Sequence, residues 1–71
     1  MEDIGMRNCK YFVEWESAYG GEFGRDGKEF KTQRDAQQYA NDENVRHGGA
    51  YMHFVVAIQK NTGERMVCKR Q

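Results

Sequence analysis

The chain has 71 residues, with 11 Lys+Arg against 11 Asp+Glu and a formal net charge of zero. That length allows one domain, which buries only about 60% of the surface its unfolded chain exposes. A 38% hydrophobic and 31% charged composition excludes a disordered chain, and balanced charge weighs against general phosphate-backbone binding. The apolar set holds no Leu and no Pro. Its core must come from Val, Ile, Met and the aromatic residues, types that favour a pleated surface over a long helix.

Charge is distributed unevenly. Residues 1–24 carry two basic and five acidic side chains, residues 25–47 five of each, and residues 48–71 four basic and one acidic. The result is a dipolar surface rather than a basic stripe. Cys9 and Cys68 are too few for a disulfide scaffold, and two reduced thiols in the cytoplasm is the better reading; whether they pair stays open. No apolar run approaches the roughly 18 residues of a membrane span, and no signal-type apolar stretch follows the N-terminus. The expected location is cytoplasmic.

In chain order, residues 1–8 lack periodicity and read as a flexible arm, leaving 10–70 as the folded core of a single domain spanning 1–71. Lys10 to Ser17 alternates as a strand, with Tyr11, Val13 and Trp15 towards the core and Phe12, Glu14 and Glu16 outward. Ala18 to Lys28 holds four glycines and the turn dipeptide Asp26-Gly27. It matches neither glycine-rich phosphate-binding fingerprint and reads as a flexible hairpin loop with Tyr19 and Phe23 available to a partner. Lys28–Lys31 is expected as a short second strand with Phe30 inward.

Thr32 to Asp35 resembles a capping box, Thr32 accepting from the N–H three residues on. The helix is expected from about Gln33 to about Asn44, burying Ala36, Tyr39 and Ala40, with Val45 beyond its end and Gly48-Gly49 as the stop. Tyr51 to Lys69 then reads as a hairpin about Asn61-Thr62-Gly63. With Gly63 at a bulge, Ile58 faces Met66 and Val56 faces Cys68. Met52, Phe54, Val56 and Ile58 then point to the core, leaving Tyr51, His53, Val55, Ala57, Gln59, Arg65, Val67 and Lys69 on the opposite face. The predicted fold is α+β: strand, strand, helix, strand, strand (ββαββ), forming an antiparallel four-stranded sheet in order 2-1-3-4 with one helix on one face.

No catalytic constellation emerges. Ser17 has no histidine placed to activate it, and Cys9, Cys68, His47 and His53 lack a recognisable metal-ligand spacing. His47 reads as a residue meeting the dipole at the helix C-terminus. The expectation is therefore no enzyme, no cofactor and no metal. The uncovered sheet face and the glycine-rich loop are the candidate partner-binding surface: Phe12, Tyr19, Phe23, Tyr51, His53, Val55, Arg65, Val67 and Lys69. The same face meeting itself would give a homodimer. The alternative reading is a nucleic-acid-binding module using Lys60, Arg65, Lys69 and Arg70.

The run Glu29-Phe30-Lys31-Thr32-x-x-Asp35-Ala36-x-x-Tyr39-Ala40 resembles the strand-to-helix segment of arm-type DNA-binding domains of tyrosine integrases. That family places three strands before its helix, whereas two strands follow the helix here. In element order, residues 10–69 resemble small bacteriophage proteins that block host machines: the inhibitor of host RNA polymerase and certain anti-CRISPR proteins. The resemblance implies a small binding protein that occludes a host protein or nucleoprotein complex, and it assigns no individual residue a role.

Overall fold

The computed structural model of the protein describes residues 8–68. In chain order it contains β1 (Cys9–Ser17), β2 (Phe23–Arg25), α1 (Gln33–His47), β3 (Tyr51–Gln59) and β4 (Arg65–Val67). The strands form one antiparallel sheet in the order β2-β1-β3-β4, the expected topology. Residues 1–7 of the expected arm and the positions Lys69 and Arg70 lie outside the described residues, whereas Asn8 accepts from the Lys60 amide at 2.8 Å.

The second strand differs from expectation. It is Phe23–Arg25, whereas Phe30 forms an isolated bridge to Tyr11 and is buried. Chain 26–29 between them turns on Asp26, whose Oδ1 accepts from the Lys28 amide at 3.1 Å. This Asx-type turn ends the pairing of β2. Phe30 still points inward and packs on Tyr39 with ring centroids 5.4 Å apart.

Helix α1 begins where the sequence places it, with Thr32 Oγ1 accepting from the Asp35 amide at 3.1 Å. It runs to His47, past the expected end at Asn44, because Gly48 takes φ 60° and its amide caps the carbonyls of Asn44 and Val45. Val45 is included but exposed, costing the helix only a solvated apolar side chain. Ala36 and Ala40 are fully buried against the sheet, and Tyr39 packs at the core's edge.

The register of β3 reverses the expected faces. Tyr11 pairs with Ala57, Val13 with Val55 and Trp15 with His53, so these residues lie on the side that α1 covers. The core is Cys9, Tyr11, Val13, Phe30, Ala36, Ala40, Val55 and Ala57. Met52, Phe54, Val56 and Ile58 stand on the other face, opposite Glu16, Glu14, Phe12 and Lys10. The hairpin register differs too: Val56 faces Val67, Ala57 faces Met66 and Ile58 faces Arg65. Gly63 has the positive φ expected of it, at 76°. Its amide donates back to the Gln59 carbonyl at 2.7 Å, and the Gln59 amide donates to Glu64 at 2.8 Å. The ladder therefore closes on a four-residue turn, Lys60 to Gly63, one residue out of phase with the bulged alternative.

Candidate functional site

Two surfaces bring chemistry-bearing side chains together. The first is the sheet face without a helix. Its rows across the strands are Lys10, Ile58 and Arg65; then Phe12, Val56 and Val67; then Arg25, Glu14 and Phe54; then Phe23, Glu16 and Met52. Of the candidate partner-binding residues, Phe12, Phe23, Arg65 and Val67 are on this face, and Tyr19 is in the β1–β2 turn. Tyr51, His53 and Val55 are not: the β3 register turns them under the helix. Lys69 is outside the described residues.

Glu14 organises the middle of this face. Its Oε2 accepts from Arg25 Nε and Nη2 at 3.1 and 2.9 Å, and its Oε1 accepts from Arg65 Nη2 at 2.6 Å. The two guanidiniums hold the carboxyl below its ordinary range, the Arg65 bond most strongly. Arg25 also lies over the Phe12 ring, 4.9 Å from its centroid. Arg65 is level with Ile58 and must span the Val56 row to reach Glu14. Val56 is accordingly fully covered despite having no helix above it. Charges and aromatic rings thus roof part of the face, while Phe23, Met52 and Val67 stay in solvent at 81%, 57% and 51% exposure.

The second surface is a cleft of about 300 Å³ between the end of α1 and the start of β3, lined by Trp15, Asp26, Glu43, His47, Tyr51 and His53. The tight connection through Gly48 and Gly49, both at positive φ, turns β3 back beside the last helical turns. His47 and His53, which sequence spacing did not place together, stack with ring centroids 5.4 Å apart and planes 14° from parallel. Glu43 sits one helical turn before His47, its Oε1 3.4 Å from His47 Nε2. One ligand atom from each of Glu43, His47 and His53 lies within 4.8 Å of the others. The signal missed in the sequence is Glu43-x-x-x-His47, an i,i+4 pair on one helix face, followed by a return strand bearing His53. Cys9 and Cys68 take no part; both are thiols, Cys9 buried beneath the helix and Cys68 half-buried at the core's edge, where burial raises its pKa.

Asp26 borders the cleft and accepts from the Tyr39 hydroxyl, tying the chain after β2 to the helix. That bond lowers the Asp26 pKa and, with burial, raises that of Tyr39 to about 12. Among the described residues, no helix is long and apolar enough to cross a membrane. The chain matches no protein-family model, no curated protein and no solved structure.

Proposed function

We propose that the protein is a non-enzymatic binding module that grips a protein partner through its uncovered sheet face. The observation that supports this reading is the row Phe23, Glu16 and Met52, which leaves two large apolar side chains in water around one carboxylate. Tyr19, 95% exposed, extends this end of the sheet through the adjoining turn. Exposed aromatic and Met side chains with a charged rim are the composition of a protein contact, where a few anchors supply most of the affinity.

Nucleic acid is the less suitable partner for this face. Arg25 and Arg65 are both engaged by Glu14, so phosphate would have to compete with a carboxylate already gripped by both. Of the alternative basic set, Lys60 is in the β3–β4 turn and Lys69 and Arg70 lie outside the described residues. The resemblance to phage-encoded inhibitors supports a finer reading, occlusion of a host protein or nucleoprotein complex.

The test is affinity purification from bacterial lysate with the wild-type chain and with Phe23→Ser/Met52→Ser. Both side chains are solvated, so the variant should keep its thermal midpoint while losing the captured protein. Equal capture by both chains would remove this face from the proposal. A mobility shift on DNA or RNA at low salt would replace it with the nucleic-acid reading, and dimeric mass by light scattering with the homodimer.

A further inference from the structure

We infer that Glu43, His47 and His53 form a binding site for a divalent transition-metal ion of the zinc class, with one coordination position open to the cleft. The donor set comes first. Two imidazoles and one carboxylate suit zinc and its first-row neighbours, and three protein ligands leave a fourth position for water or another small ligand. Tetrahedral zinc bonds of about 2.0–2.1 Å put ligand atoms about 3.4 Å apart. Glu43 Oε1 and His47 Nε2 already have that separation, at 3.4 Å. The full trio lies within 4.8 Å, so the ligand atoms have to draw together from that spread to close the shell.

The second observation is independent of ligand spacing. Asn44 Oδ1 accepts from the His53 amide at 2.6 Å, and Asn44 Nδ2 donates to the His53 carbonyl at 3.2 Å. A backbone N–H can only donate and a carbonyl can only accept, so these two bonds fix which end of the Asn44 amide is oxygen. The same Oδ1 lies 3.1 Å from His53 Nδ1. In the neutral ring Nδ1 therefore carries the proton, and the Nε2 lone pair is the ring's available donor. An outer partner that fixes tautomer and ring orientation in this way is the usual companion of a metal-ligating histidine.

The site also accounts for a carboxylate in an unexpected place. Glu43 is 9% exposed on the buried side of a helix otherwise lined there by alanine. Arg46, itself mostly in solvent, approaches it at 3.6 Å, leaving the oxygen nearest His47 directed at the cleft. Asp26, whose oxygens already accept from Tyr39 and the Lys28 amide, completes the rim as a nearby negative charge rather than as a fourth ligand.

The test uses the chelator-treated full chain with Zn²⁺ alone in equilibrium dialysis, and Co²⁺ as a spectroscopic substitute. The expected result is one Zn²⁺ per chain, with affinity at least about 100-fold weaker for His47→Ala, more than a second-layer change typically costs. The metal-free variant should melt as the wild type does, since His47 reaches into solvent. The Co²⁺ spectrum of the wild type should show ligand-field bands without thiolate charge transfer. Absence of saturable binding, unchanged affinity in His47→Ala, or a thiolate band that moves the metal to Cys9 or Cys68 would each overturn the assignment. If His47→Ala fails to fold, ¹⁵N NMR of wild-type His53 decides: the Nδ1–H tautomer with a metal-shifted Nε2 is required.

Discussion

A Cβ built on Gly24 would lie 2.6 Å from Cζ2 and 2.9 Å from Cε2 of Trp15, the residue it pairs with across β1 and β2. The glycine is there so that the indole can lie flat on the strand backbone. Gly24→Ala should cost about 1–3 kcal/mol, the usual penalty for overpacking, read by urea unfolding followed through Trp15, the single tryptophan. Gly27→Ala is the matched control: nothing lies within 4 Å of its Cβ and its φ is not positive, so the change should be neutral or slightly stabilising. A glycine-rich loop was visible in the sequence, but not which glycine answers to a tryptophan, because that depends on register. The same limit hid the Glu43, His47 and His53 cluster. Its helical half is an i,i+4 pair, whereas its third member arrives only through the fold.

At the level of elements, strand positions and helix ends were more legible than faces. Thr32 and Gly48 do what their residue types predict, and each carries a measurable share of helix stability. Thr32→Ala should cost about 1 kcal/mol through loss of the N-cap bond. Gly48→Ala should cost a similar amount, about 1 kcal/mol, because its φ of 60° suits glycine. The faces of β3 were not legible because both of its alternating sets are apolar at the strand's centre: Phe54, Val56 and Ile58 on one side and Val55 and Ala57 on the other. Packing against the helix decides. Ala36 and Ala40 bring the helix backbone close to the sheet, and the smaller Val55 and Ala57 fit beneath it where Phe54 and Ile58 would not. On the far face Val56 is covered by its neighbours, Phe12 and the arginines about Glu14, while Met52 stays in solvent. A strand buried on both faces makes a distinctive prediction: Val55→Ala and Val56→Ala should each cost about 2 kcal/mol, while Met52→Ala stays within about 0.5 kcal/mol. Chemical denaturation of the three variants checks it; a negligible cost for Val56→Ala would mean that face is wet.

At the scale of the molecule, the one helix among the described residues leaves the other sheet face to be held in part by polar clamps, and those clamps titrate. Glu14 joins β1 to β2 and β4 through Arg25 and Arg65, and Asp26 joins the chain after β2 to α1 through Tyr39. Both carboxyl pKa values are lowered in the folded state, chiefly by the Arg65 and Tyr39 bonds respectively. A depressed carboxyl binds its proton more readily in the unfolded chain. Its stabilisation is therefore present above the unfolded pKa and is lost as pH falls through the folded one. Tyr39 has the opposite sense. Its pKa is raised to about 12 by the Asp26 carboxylate and burial, so its contribution is complete below the ordinary tyrosine value and disappears as pH climbs towards 12. Stability against pH should thus be a plateau with an acid limb from Glu14 and Asp26 and an alkaline limb from Tyr39. Substitution separates them. Glu14→Gln should shallow only the acid limb, at the cost of two arginines released from their shared partner. Tyr39→Phe should remove its part of the alkaline limb and also shallow the acid limb, since the largest cause of Asp26's lowered pKa goes with the hydroxyl. Urea midpoints measured across the acid and alkaline ranges for the three chains check this. If Tyr39→Phe altered the alkaline side alone, the tie between the helix and Asp26 would not be holding in solution.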